Sequence, residues 1–153
     1  MFNSLNLSID SFAPLKSQPI MGIDWGQTKI GLSLSDPLWV LASPLDVLKR
    51  RNGHSVIDNL VGLLAFHHVG GIVVGYPCQE DGTPDRMTKN IERFVHALSQ
   101  KYLCSVLLWD ERFSSQRAEK ICPNHRKMDA VAATLILQDV LEVMRQINPQ
   151  STL

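Results

Sequence analysis

Four acidic side chains stand where carboxylates are least expected. Asp24 interrupts the apolar run Ile20–Trp25, Asp110 and Glu111 close the apolar run Val106–Trp109, and Asp129 opens a long stretch of helical periodicity. An unpaired carboxylate buried in apolar surroundings costs roughly several kcal/mol unless something neutralises it. A shared cation would do so, and carboxylate oxygens are the hard donors that Mg2+ or Mn2+ prefers. Asp129 is the most informative by geometry. The residues three, four, seven and eleven further along are Ala132, Ala133, Ile136 and Val140, so its helix face is wholly apolar. Each acid also has an ordinary explanation: Asp129 suits the positive end of a helix dipole, Asp24 suits a hydrogen bond to the turn Gly26-Gln27-Thr28, and Asp110-Glu111-Arg112 suits a salt-bridged strand end. Their combination, from distant parts of one chain, is what points to a metal site.

The composition bounds what can carry those acids. A chain of 153 residues suits one domain that buries its core without disulfides or structural zinc. Its 44% hydrophobic and 20% charged residues exclude a chain disordered throughout. The 15 basic and 15 acidic side chains cancel, so net charge does not advertise a nucleic-acid partner and local charge must decide. Cys78, Cys104 and Cys122 are far apart with no CxxC pair, which argues against a disulfide framework or zinc site and fits a reducing cytoplasm. No apolar run approaches the ~20 residues of a membrane span, and Met1–Pro19 lacks the basic start and apolar core of a secretion signal. A soluble cytoplasmic protein with no membrane partner is expected.

The elements follow from periodicity. Residues 1–19 read as a loosely held extension with a short helical turn around Ser11–Leu15. Ile20–Trp25 and the alternation Ile30, Leu32, Leu34 form a hairpin, and Ser43–Leu48 offers a third antiparallel strand. From His54 the spacing becomes helical through Ile57, Leu60, Val61 and Leu64, with Gly70-Gly71 as its stop. Ile72-Val73-Val74 reads as a strand buried on both faces. Thr83 caps a helix through Met87, Ile91, Phe94, Val95, Leu98 and Tyr102, with Pro84 as its first residue. Val106–Trp109 is a second buried strand, followed by a short helix near Ser114–Ile121 and a last helix over Met128–Ile147. The order predicts an α/β fold: a mixed five-stranded sheet of three antiparallel strands, then two parallel crossovers, flanked by helices. One domain over 20–147 and a fraying tail at 148–153 complete the expectation.

The blocks Gly22-Ile23-Asp24-Trp25-Gly26, Lys29-Ile30-Gly31-Leu32 with Ser35-Asp36-Pro37, Ala42-Ser43-Pro44-Leu45, Val73-Val74-Gly75-Tyr76-Pro77 with Asp81-Gly82, Trp109-Asp110-Glu111-Arg112 and Met128-Asp129-Ala130-Val131-Ala132-Ala133 recur in order. In these the chain resembles the YqgF family of Holliday junction resolvase-like proteins, also described as pre-16S ribosomal RNA nucleases. The resemblance runs from Ile20 to Leu141. It implies a ribonuclease H-like fold, with Asp24, Glu111 and Asp129 as metal-binding catalytic residues and Mg2+ or Mn2+ as cofactor. Asp110 is a fourth catalytic candidate, because adjacent strand residues point to opposite faces. Lys29, Arg112, Arg117, Arg126 and Lys127 are then the candidate phosphate contacts, with solvated surface charge as the alternative. His125 is a proton carrier or a simple loop residue. The chain departs from the family pattern between Glu111 and Asp129, where Pro123 and Asn124 replace a longer glycine-containing loop.

The implied function is metal-dependent phosphodiester hydrolysis, first in maturation of the 5' end of pre-16S ribosomal RNA and alternatively on branched DNA. Junction cutting would require a homodimer presenting two sites, whereas a monomer would suffice for RNA. Two rivals stand beside this. A sugar-kinase-like ATPase shares the underlying fold but needs two lobes, and a non-catalytic RNA- or protein-binding module would keep the acids as salt bridges. Trp25 and Trp109 could stack on a splayed base, although core packing suits them better. His67-His68 suit a helix dipole better than a metal, which needs a third ligand.

Overall fold

The apolar runs become the strands that the alternation predicts. The computed structural model describes residues 17–50, 56–76, 86–110 and 128–147. The N-terminal helical turn, the Thr83 cap, the short helix at Ser114–Ile121 and the tail at 148–153 lie outside the described residues. Within them β1 (Ile20–Trp25) and β2 (Lys29–Ser35) form the hairpin, and β3 (Ala42–Lys49) adds antiparallel to β2. Helix α1 (Val56–Phe66) leads to β4 (Gly71–Tyr76), and α2 (Arg86–Ser99) leads to β5 (Ser105–Asp110). The last helix, α3, is Met128–Ile147. Strand order is β3-β2-β1-β4-β5, with β4 parallel to β1 and β5 parallel to β4. This is the mixed α/β sheet that the sequence predicts.

Helices cover both faces, and the strand period of two decides which side chain meets which helix. Met21, Ile23, Ile72 and Val74 pack with Leu60 and Leu64 of α1 and Ile91, Phe94 and Leu98 of α2. Ile20, Val73 and Leu107 pack with Ile136, Leu137, Val140 and Leu141 of α3. Ile72, Val73 and Val74 are all fully buried, as a central strand covered on both faces requires. Among the described residues no helix is long and apolar enough to cross a membrane.

One helix end differs from the expectation. The predicted stop of α1 at Gly70-Gly71 is corrected: His68, at φ 54°, takes the left-handed position that ends the helix. The His68 N–H donates to the Ala65 carbonyl at 3.2 Å and the Val69 N–H to Leu64 at 3.0 Å, the paired pattern that closes a helix on such a residue. Gly71 instead opens β4, where Gly70 donates to the Pro19 carbonyl at 3.0 Å. The β2–β3 connection is organised by Asp36, whose carboxylate accepts the N–H groups of Leu38, Val40 and Leu41 at 3.2, 2.8 and 2.8 Å. Helix α3 ties down that loop. Gln138 accepts from the Ala42 N–H at 2.9 Å, and Arg145 donates to the Val40 carbonyl at 3.0 Å.

Candidate active site

Asp24 sits near the C-terminal end of β1, half-buried, with Gly31 of β2 as its cross-strand partner. Residues opposite one another in an antiparallel pair face the same side, with Cα atoms only about 4.5–5.5 Å apart. That side is the α3 side. A Cβ added to Gly31 would collide with the backbone carbonyl of Asp129, so the first turn of α3 lies directly on the vacant position beside Asp24. Gly22 serves the same approach one turn along α3, where an added Cβ would stand 2.8 Å from the Ala133 carbonyl. Ser33, opposite Gly22, donates its buried hydroxyl to that carbonyl at 2.8 Å. Small residues on two strands therefore bring Asp129, also half-buried, to Asp24.

Asp110 does not join them. It pairs with Tyr76 in the parallel β4–β5 register, so the two share a face. Tyr76 packs against the α1–α2 core and donates its hydroxyl to Glu92 of α2 at 2.9 Å. The alternation that sends Leu107 and Trp109 toward α3 sends Asp110 to the opposite side of the sheet from Asp24. Glu111, Arg112, Arg117, His125, Arg126 and Lys127 lie outside the described residues. Among the described residues no group of three or more His, Cys, Asp or Glu comes together as a metal cage.

The cations beside the acids come from strand edges. Lys29 is two residues before Gly31 and therefore on the same face, and its cross-strand partner is Lys49 at the end of β3. Like charges directly opposite repel, and an anion between them would relieve the repulsion. Lys49 was not legible in the sequence as a partner of Lys29, because a register shift between Leu32 and Ser33 intervenes. Arg50 is the second residue that sequence reasoning missed. Its Nη1 donates to the carbonyls of Gly26 and Gln27 at 2.8 Å each, and its backbone N–H to Thr28 at 2.8 Å. It thereby pins the turn that follows Asp24. The guanidinium lies 4.0 Å over the Trp25 ring, which in turn stacks on Phe94 at 4.2 Å. Trp25 is only 8% exposed, so it packs in the core as the sequence favours.

Two carboxylates on adjoining backbone, beside a position that must be glycine, offer hard oxygen donors of the kind a divalent cation takes. Asp24 and Asp129 could hold such an ion between them.

Comparison with known proteins gives this arrangement a lineage. The family model described as RuvX, Holliday junction resolvase, matches residues 18–143. A relative from Ehrlichia chaffeensis named "Putative pre-16S rRNA nuclease" is 31% identical over 148 residues, covering 90% of this chain and 95% of its own. A relative of the same name from Jannaschia sp. is 34% identical over 159 residues, covering 97% and 98%. Among solved structures, Thermus thermophilus RuvC superposes with a TM-score of 0.53 at 12% identity, covering 85% of this chain and 96% of that one, a likeness of fold. With the blocks around Asp24 and Asp129 inside the matched region, the chain belongs to the RuvX Holliday junction resolvase family, whose members are nucleases hydrolysing ester bonds.

Proposed function

We propose that this chain is a divalent-metal-dependent nuclease that cuts a phosphodiester bond of pre-16S ribosomal RNA, with residues 20–147 as its catalytic domain. The observation that carries this reading is the convergence of Asp24 and Asp129 across Gly31. Glu111 is the third metal-holding carboxylate in this reading, on sequence grounds and because Asp110 turns to the other face of the sheet. Bound divalent metal, Mg2+ or Mn2+, supplies activation of water and neutralisation of charge developing at phosphorus. The chain's own part is to hold the acids rigidly and to seat the strand. Helix α3 clamped on β1 and β2 fixes the carboxylates, Lys29 and Lys49 meet backbone phosphate, and Arg50 keeps the turn after Asp24 from moving. The names of the relatives from Ehrlichia chaffeensis and Jannaschia sp. support ribosomal precursor RNA as substrate and, with it, a cytoplasmic location.

A second reading, cutting of four-way DNA junctions, is favoured by the description of the matching family itself. It requires a homodimer presenting two sites, whereas RNA cutting is open to a monomer. The deciding experiment offers a precursor RNA fragment and a four-way junction side by side, with Mg2+ or Mn2+, to wild type and Asp24→Asn. Metal-dependent cutting of RNA, lost in Asp24→Asn, is the expected result. Cutting of the junction alone transfers the reading to DNA. No cutting of either, with Asp24→Asn indistinguishable from wild type, removes the enzyme.

A further inference from the structure

On the α2 side of the sheet, behind the turn that follows Asp24, a cavity of about 590 Å³ is lined by Gln27, Arg50, Arg86, Met87 and Asn90. Among the described residues that line it, two carry guanidinium groups, two carry amides and none carries a carboxylate. Among the described residues no carboxylate is paired with Arg50 or Arg86, whereas Lys101 is paired with Asp58. Burial pulls the Arg50 pKa below its ordinary value, the direction expected where no anion offsets lost hydration.

Arg50 is also preorganised. Stacked on Trp25, with Nη1 fixed by two carbonyls, it loses little rotamer freedom on binding. A guanidinium has five N–H donors, so its Nε and Nη2 edge remains for a ligand, and that edge matches two oxygens of a phosphate. The carbonyls that hold it belong to Gly26 and Gln27, two and three residues after Asp24. At about 3.3 Å of chain per residue, the anchor is within roughly 10 Å of the acid along the backbone.

We infer that this cavity grips a backbone phosphate of the nucleic-acid substrate beyond the turn, with Arg50 and Arg86 as its ligands, while the scissile phosphate lies at Asp24 and Asp129. The inference rests on the nuclease reading and adds a second holding point on the opposite face of the sheet. A strand crossing the Gly26–Thr28 turn is held on both sides of that ridge, which sets the register of the bond presented to the acids. The recognition is of phosphate, not of base, so RNA and DNA strands are gripped alike.

Binding of a fluorescent single-stranded RNA and of a four-way DNA junction, titrated over a range of KCl in an Asp24→Asn background, tests it. One lost phosphate contact lowers the slope of log K against log salt by about 0.7 for a single strand and 0.9 for duplex, and weakens binding about fivefold near 0.15 M salt. Arg86→Ala is expected to show this on both probes. Arg93→Ala removes the same charge from an exposed position on α2 that does not line the cavity, and is expected to leave the slope unchanged. Arg50→Lys keeps the charge and loses the fork, so it weakens binding with little change in slope, its folding checked by thermal melting. An unchanged slope in Arg86→Ala, an equal loss in Arg93→Ala, or no binding of either probe by the parent overturns the subsite. Metal-dependent cutting by the otherwise wild-type chain alongside an unchanged Arg86→Ala slope removes the subsite alone. The expected slope loss without any cutting removes the nuclease alone.

Discussion

Asp24 and Asp129 are neighbours because of a side chain that is missing. Gly31 leaves the space into which the Asp129 carbonyl descends, and Asp24 is the residue directly opposite. Removing either charge should abolish the paired donor set, so Asp24→Asn and Asp129→Asn are each expected to reduce metal-dependent cutting by well over 100-fold, beyond what loss of a ligand's supporting contact costs. Asp110→Asn should lose less than tenfold, since Asp110 shares the α2 face with Tyr76. Measured side by side, equal losses in Asp110→Asn and Asp24→Asn would contradict the assignment of faces. Cys104 offers a contrast in chemistry. Burial pushes its thiol up to about 12, so it stays protonated at neutral pH and should react with alkylating reagents far more slowly in the native protein than in urea.

At the scale of elements, the site depends on how closely α3 lies on β1 and β2. Gly31→Ala is expected to lift the first turn of α3 and to destabilise the fold by roughly 1–3 kcal/mol in urea denaturation, with loss of metal-dependent cutting. Ser33→Ala keeps the close approach and removes one buried hydrogen bond to the Ala133 carbonyl, so about 1 kcal/mol is the expected cost. A larger effect from Ser33→Ala than from Gly31→Ala would mean that packing is not what holds α3 down. The β2–β3 loop carries a pH dependence of definite sign. Burial alone would raise the Asp36 pKa, but the N–H groups of Leu41, Val40 and Leu38 outweigh it and hold the carboxyl below its ordinary 3.8. A depressed folded-state pKa contributes stability above the unfolded value and loses it as pH falls through the folded one. Asp36→Asn should therefore flatten the acid limb of the stability profile below the ordinary 3.8, leaving the neutral region's slope unaltered.

For the whole molecule, a cation bound by the folded state alone must stabilise it. Mn2+ at about 100 times its dissociation constant adds about 2.7 kcal/mol, a rise of several degrees in Tm, and Asp24→Asn should show none of it. The sequence by itself determined the order of the described strands and helices and the mixed sheet, and it singled out the acids as candidates, because those depend on local periodicity and on side-chain chemistry. It read the apolar face of α3 from Ala132, Ala133, Ile136 and Val140, all of which are buried. It misjudged the end of α1, since glycine is the cheapest residue for a left-handed position and His68 took it instead. Which face each side chain serves was beyond it wherever strands meet. Asp110 was separated from Asp24 by the register that pairs it with Tyr76, and Lys49 reached Lys29 only across an irregular ladder. Arg50 read as one member of a charged run, yet in three dimensions it stacks on Trp25 and opens onto a cavity shared with α2. Chemistry is written in residue types, but the juxtaposition of β1, β2 and α3 comes from close packing across about 100 residues of chain, which no local pattern encodes.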